Sequence, residues 1–326
     1  MKLATLKSSN PKERDGRLVV VSRDLKRARF PEFTNTATLL EALWNWSETK
    51  PRLETIFHEL NHSQADSFAF RLEDCLAPLP FAPGFYDGSA FLSHVVRARK
   101  SRGDEMPASA KLTPLMYQGV SDYLLPWNAP ISIMDKALGG DFEGEFAVIT
   151  TAVPRGTKAE NCGPHIALLT LFNDVTLREV VKTEIETKFG FLQSKPNSSF
   201  APVVITPDEL GPAWKDGRVH LDMSVHYNQA LFGKPNGREM HFSFEQLVAH
   251  AARTRPLSPG NIVGAGTVSN EDKNAGFACL TEKRFQEVLD TGRASTRWLE
   301  PGDHLKIEVF QDGQSVFGPI DETVTL

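Results

Sequence analysis

The chain has 326 residues, longer than one hydrophobic core usually serves, and its 40% apolar and 24% charged residues with 21 phenylalanines exclude a small stapled scaffold and argue against disorder. Thirty-six basic against 41 acidic residues leave a net charge of -5 with no block of like charge; neither a nucleic-acid footprint nor an anionic-membrane patch is expected, and small molecules are the expected partners. No apolar run approaches the ~20 residues of a membrane span, the start lacks the apolar stretch of a secretory signal, and Cys75, Cys162 and Cys279 are too scattered for a disulfide framework or a thiolate zinc site, which points to the cytoplasm.

In chain order, residues 1–34 read as a small β unit: LATL, a charged turn at Asp15-Gly16, then the β-branched run RLVVVS. From Asn35 to about His62 apolar residues recur every three to four positions, which predicts a helical hairpin with Pro51 in the first turn of its second helix. That helix carries His58-Glu59-Leu60-Asn61-His62, a match to the zinc pattern HExxH. No downstream third-ligand pattern follows it, so the match is read as accidental. The stretch APLPFAPG, residues 77–84, holds three prolines and a glycine and breaks regular structure. It is taken as the boundary between a small amino-terminal domain, residues 1–80, and a larger one, residues 81–326.

Beyond the boundary strands outnumber helices. Strands are expected at 142–149, 165–172, 203–205, 219–223, 262–263 and 305–310, and helices at 89–100, 176–188, 244–254 and 281–289. The two kinds do not alternate regularly, which disfavours a doubly wound parallel sheet. The expected class is α+β and β-rich, a curled or sandwiched sheet with peripheral helices. The glycines of GNIVGAGTV are not followed by the lysine-hydroxyl pair of a phosphate loop.

Glu143 and Glu145, two apart in FEGEFAVI, leave the same face of a strand. Side-by-side carboxylates are relieved by a raised pKa or a bound cation, or else that face is simply solvated. Asp174 ends the apolar strand LLTLFND and is a third candidate ligand, or alternatively an N-cap for the helix near Thr176. Oxygen-only ligation selects a hard cation, Mg2+, Ca2+ or Mn2+. His94 lies on a predicted helix seven residues after Asp87; a lone histidine there is either structural or, in company with acids, catalytic.

Taken together, YDGSAFLSHV, MYQG, DFEGEFAVI, LFNDVTLRE, FGFLQSKPNSSFAPVVITPDELG, HAARTRPLSPGNIVGAGTVSN and GDHLKIEV occur in the order, and with the residues, that resemble the fumarylacetoacetate hydrolase family. The resemblance covers about residues 85–326, and the opening region looks like the small amino-terminal domain of longer, two-domain members. It implies a mixed β-sandwich roll of the fumarylacetoacetase type around a divalent metal, Mg2+ or Ca2+ with Mn2+ as a further option, held by Asp87, Glu143, Glu145 and Asp174. His94 matches the family's water-activating base and Glu282 the glutamate that orients it. Arg178 and Lys195 match its basic residues near the substrate, and Tyr117, Arg178 and Thr267 match substrate-contacting positions. Val181, Ile185 and Ser89 depart from the polar residues of the animal enzyme.

What the resemblance implies for function is metal-dependent hydrolysis of a carbon-carbon bond in a 1,3-diketo acid, fumarylacetoacetate first among them, as in tyrosine degradation, by a homodimer. The alternatives are a related acylpyruvate hydrolase, an oxaloacetate decarboxylase or isomerase of the same superfamily, and a non-catalytic, metal-stabilised binding protein.

Overall fold

The computed structural model describes residues 1–33, 36–62 and 66–326. Thr34 and Asn35, the expected end of the β unit and start of the hairpin, lie outside the described residues, as do 63–65. The elements used below are Lys2–Leu6 (β1), Arg17–Val21 (β2), Arg27–Arg29 (β3), Leu39–Trp44 (α1), Trp46–His62 (α2), Phe68–Ala69 (β4), Phe85–Gly88 (β5), Leu92–Lys100 (α3) and Met116–Gln118 (β6). They continue with Gly144–Thr150 (β7), Ile166–Asn173 (β8), Arg178–Thr187 (α4), Val203–Ile205 (β9), Met223–Tyr227 (β10), Phe244–Ala251 (α5), Ile262–Gly264 (β11), Leu280–Thr291 (α6), His304–Gln311 (β12) and Ile320–Thr325 (β13).

Local chemistry explains most of these bounds. Thr38 caps α1 through a capping box with Glu41, and Ser243 caps α5 through one with Gln246. Helix α2 begins at Trp46, so Pro51 falls inside it rather than in its first turn. The strand expected at 219–223 is split: Arg218–Val219 pairs with Trp214–Lys215, and a longer strand runs from Met223 to Tyr227, where Met223 and Val225 alternate with less buried neighbours.

The fold is α+β and β-rich. Among the described residues a twelve-stranded sheet carries the order β4-β3-β2-β1-β9-β8-β7-β11-β5-β6, and a six-stranded sheet is built around β10, β12 and β13. β1 pairs antiparallel with β9, Leu3 opposite Val204, so the opening strands extend the sheet that carries β7 and β8.

Strand β7 is buried on both faces, and its side chains divide two cores. Phe146 and Val148 pack with Ile307, Val309 and Val225 of the second sheet, while Ala147 and Ile149 pack with Leu43, Leu53 and Leu60 beneath α1 and α2. Glu145 has the parity of Ala147 and Ile149. That second core ends in a cluster of Phe85, Phe172 and Phe200, with Phe172 and Phe200 stacked at 5.2 Å and Phe85 edge-on at 5.3 Å and 5.8 Å. The acidic residues sit at this end of the sheet.

Candidate active site

Three strands deliver three carboxylates to one point. Asp87 comes from β5, which runs parallel to β11 with Asp87 opposite Gly264; Gly264 in turn pairs with Ala147 of β7. A Cβ on Gly264 would lie 2.2 Å from Oδ1 of Asp87, so this glycine leaves the space the carboxyl occupies. Glu145 comes from β7, and Asp174 follows the last residue of β8. Oxygens of Asp87, Glu145 and Asp174 lie within 4.8 Å of one another, and all three residues are buried.

Glu145 shows what the cluster lacks. Neither of its carboxylate oxygens has a hydrogen-bond partner, and the residue is 0% exposed. The adjacent Asp87 carboxyl can donate to it only while holding a proton. Burial, and then the charges of Asp87, Glu143 and Asp174, push Glu145 well above the usual carboxylate range; burial and the Asp174 charge push Asp87 up to about 8. A buried carboxylate without a donor is costly unless a cation satisfies it. An all-oxygen donor set of this kind fits a hard divalent cation.

Glu143 lines the same cleft in an opposite environment. Arg178 Nη2 donates to its Oε1 at 2.6 Å, Lys195 Nζ to its Oε2 at 2.8 Å, and the Thr267 hydroxyl to Oε1 at 2.7 Å. Although burial pushes it up, the Arg178 guanidinium and Lys195 ammonium hold Glu143 well below the usual range. Lys195 also donates to Asp174 Oδ2 at 2.5 Å, and the Tyr117 hydroxyl donates to the same oxygen at 2.7 Å. Burial would lower the Lys195 and Arg178 pKa values, but the facing carboxylates raise both. Of the four acids expected around a metal, Asp87, Glu145 and Asp174 have oxygens within 4.8 Å of one another, and Glu143 lines the same cleft as the hub of an ion-pair network.

The imidazole stands at the rim of the same cleft, whose lining includes Asp87, His94, Glu143, Glu145, Arg178 and Lys195. His94 Nδ1 meets Glu282 Oε2 at 3.0 Å, and the histidine side chain is 18% exposed against 1% for the glutamate. The cleft therefore reaches the ring and not its partner. Glu282 occupies the first turn of α6, and its other oxygen accepts from Arg97 Nη1 and from the Ser269 hydroxyl, each at 2.6 Å.

Several contributors lie outside the residues expected from sequence. Arg97 fixes Glu282 as just described. Asp141 accepts from the backbone N–H groups of Leu280 and Thr281 at 2.8 Å and 3.0 Å and from Arg178 Nε at 2.8 Å, tying the start of α6 to the guanidinium. Asn173 donates to Glu322 and accepts from the Glu143 N–H, and the Ser198 hydroxyl donates to Asp174. Asp141, Asn173 and Ser269 lie within the family-like stretches DFEGEFAVI, LFNDVTLRE and GNIVGAGTVSN, whereas Arg97 sits in the basic run RARK and looks solvated. Asp174 is no helix cap, since α4 starts after Leu177 and the carboxylate is engaged elsewhere.

The HELNH segment keeps helical spacing, but its residues are directed elsewhere. His62 Nδ1 lies 2.7 Å from the His58 carbonyl and Glu59 pairs with Arg29 at 2.9 Å. Among the described residues no third ligand joins these histidines. The three cysteines are free and buried, and among the described residues no helix is long and apolar enough to cross a membrane.

Comparison with known proteins agrees with the geometry. Residues 85–325 match the family described as "Fumarylacetoacetate (FAA) hydrolase C-terminal", and residues 1–81 match "Fumarylacetoacetase N-terminal domain 2". Fumarylacetoacetase of Arabidopsis thaliana is 24% identical over 194 residues, 51% of this chain and 46% of that protein. A solved maleylpyruvate hydrolase from a Sphingobium species, in complex with manganese(II) and pyruvate, superposes with a TM-score of 0.65 at 15% identity over 100% of this chain and 99% of the other. A 5-carboxymethyl-2-hydroxymuconate delta-isomerase from Mycobacterium smegmatis does so with a TM-score of 0.62 at 16% identity over 100% and 98%. Identities this low show a shared fold. The chain belongs to the fumarylacetoacetate hydrolase family.

Proposed function

We propose that the protein is a metal-dependent hydrolase that cleaves a carbon-carbon bond of a 1,3-diketo acid, with fumarylacetoacetate and acylpyruvates as candidate substrates. The observation that carries this reading is the His94–Glu282 pair at 3.0 Å, facing a cleft that also holds the donor-less carboxylate of Glu145. A divalent cation, Mg2+, Mn2+ or Ca2+, held by Asp87, Glu145 and Asp174 would supply Lewis-acid polarisation of a substrate carbonyl. With Nδ1 engaged by Glu282, Nε2 of His94 is the ring nitrogen that can take a proton from water, and the buried carboxylate supports the imidazolium so formed. Arg178 and Lys195 keep positive charge beside the position where the departing enolate becomes negative. Tyr117 and Thr267, anchored on Asp174 and Glu143, orient the substrate.

In this reading residues 1–80 are the small amino-terminal domain and 81–326 the catalytic one; every side chain named in the site comes from the latter. A homodimer and a cytoplasmic location belong to the same proposal. The dimer is supported by Leu115, Phe189 and Leu192, exposed apolar side chains on loops bordering the cleft.

The test is turnover of a diketo-acid panel with added Mg2+ or Mn2+. Loss of the diketone absorbance with formation of two acids is the expected result, and His94→Ala should lower kcat by about 10²–10⁴-fold while metal binding persists. Isomerised or decarboxylated products in place of two acids would move the protein to the isomerase or decarboxylase chemistry of its superfamily. No turnover of any keto acid would leave a metal-stabilised binding protein.

A further inference from the structure

A second cavity opens off the carboxylate cleft. It shares His94, Leu115, Arg178, Val181 and Phe191 with the cleft, runs between α3, α4 and α6, and has a volume of 860 Å³ against 380 Å³ for the cleft itself. Cavities of roughly 300–1,000 Å³ enclose whole drug-sized ligands, so this annex is far larger than a short acid requires. Its walls beyond His94 are Ala98 of α3, Val181 and Ile185 of α4, Phe285 and Val288 of α6, and Trp298. Val181 and Ile185 are two of the positions that depart from the animal enzyme, and here both contribute hydrocarbon surface.

Four cations also reach the lining, and each is already engaged. Lys182 pairs with Glu179, Arg102 lies 3.5 Å from Asp104, and Arg99 donates to the Glu105 carbonyl at 3.3 Å. Arg284 donates to the Thr296 carbonyl while its guanidinium lies 4.1 Å over the Trp298 ring. Lys182 and Arg102 face carboxylates, Arg99 and Arg284 keep their charge against carbonyls, and all four lay hydrocarbon stems beside the cavity, so a carboxylate-ended tail is the competitor that the binding test must reject.

We propose that this cavity receives the acyl substituent of the substrate and that the substituent is apolar, a saturated chain or an aryl group rather than a short segment ending in a second carboxylate. The inference rests on the diketo-acid reading above and narrows it toward acylpyruvates with hydrophobic acyl groups. The diketo-acid head would sit at the carboxylates, between His94 and Arg178, and the tail would pass Val181 into the space between the helices.

Binding tests this separately from turnover. Straight-chain 2-oxo acids, from pyruvate upward, are titrated into the full-length, Mn2+-loaded protein by calorimetry. Affinity should rise about fourfold per added methylene until the cavity is filled, the increment for moving one methylene out of water. Ala98→Phe, which fills the passage beside α3, should flatten that rise. A chain-length series that is flat in the unsubstituted protein, or tighter binding of acids with a terminal carboxylate than of methyl-ended acids of equal length, would overturn the proposal. If binding climbs with chain length but neither fumarylacetoacetate nor any acylpyruvate is cleaved, the hydrolase reading fails and the cavity assignment stands.

Discussion

Glu143 and Glu145 are the same residue type, two positions apart, Glu143 just ahead of β7 and Glu145 within it, and the fold treats them oppositely. Glu143 receives a guanidinium, an ammonium and the hydroxyls of Thr267 and Thr176, and its carboxyl is held well below the usual range. Glu145, with Asp87 and Asp174 beside it, receives no N–H or hydroxyl donor, only the Asp87 carboxyl while that holds a proton, and is pushed well above that range. One half of the cleft brings its own cations, and the other is arranged for one from outside. The difference arises from where the counter-charges enter: Arg178 at the start of α4 and Lys195 beyond that helix approach on the Glu143 side, whereas Glu145 points along the strand face that ends at the phenylalanine cluster.

The largest effect should come from breaking the half without a cation of its own. Glu145→Gln removes the charge that a hard ion needs while keeping the shape. Calorimetric titration with Mn2+ should show affinity lowered more than a hundredfold, and turnover should fall by about 10³-fold or more as the transition-state stabilisation supplied by the ion is lost. The metal-free protein should nevertheless gain about 1–3 kcal/mol at neutral pH, because an amide has no charge to neutralise, whereas Glu145, raised well above the usual range, must take up a proton as the chain folds. Thermal melts without metal that show no gain would mean that Glu145 has a partner in solution.

The opposite sign is expected on the other side. Lys195→Met deprives Glu143 and Asp174 of a shared ammonium, and removing one partner of a buried ion pair costs about 3–5 kcal/mol. Because Arg178 still holds Glu143, the loss should fall at the low end, read as a lowered denaturant midpoint at unchanged m-value. A destabilisation of Glu145→Gln equal to that of Lys195→Met would erase the distinction between the two halves.

How much of this was legible in the chain depends on range. The i, i+2 spacing placed Glu143 and Glu145 on one face, and the apolar run LLTLFND placed Asp174 at the end of a strand, because both are local consequences of strand geometry. The division of labour between the glutamates was not legible, since it depends on cations that arrive from outside β7. The His94–Glu282 pairing spans 188 residues and was indicated only by family resemblance. Arg97 was hidden by its own neighbourhood: in the run Arg97, Arg99, Lys100 every side chain looks solvated, yet Arg97 is 7% exposed and held by Glu282, Ser269 and Gln286. The union of β1 with β9 joins residues some 200 positions apart in one sheet, a pairing that no window of local sequence contains.

The smallest effect, and the one that probes the acids without mutation, is pH. Asp87 is raised from 3.8 to about 8, so between these values the folded, metal-free protein holds a proton that the unfolded chain has released. Its contribution to stability is complete below the unfolded value and is lost as pH rises toward 8. Glu143 is lowered, so its contribution is already complete above the ordinary carboxylate range and stays constant through the same interval. A divalent ion must displace the protons of Asp87 and Glu145, so its apparent affinity should climb as pH rises above the ordinary carboxylate range, with the Asp87 share of the proton release fading near pH 8. The quantity to measure is the Tm with metal minus the Tm without it, at fixed metal concentration, since mass action converts affinity into stability. That difference also isolates the site from Glu322, which burial raises to about 8 and which hydrogen-bonds Asn173. Glu322→Gln should flatten part of the metal-free pH slope while leaving the metal-dependent difference in place. A difference that does not change with pH would mean that the acids meet the ion already ionised, and the contrast between the two glutamates would then be one of geometry alone.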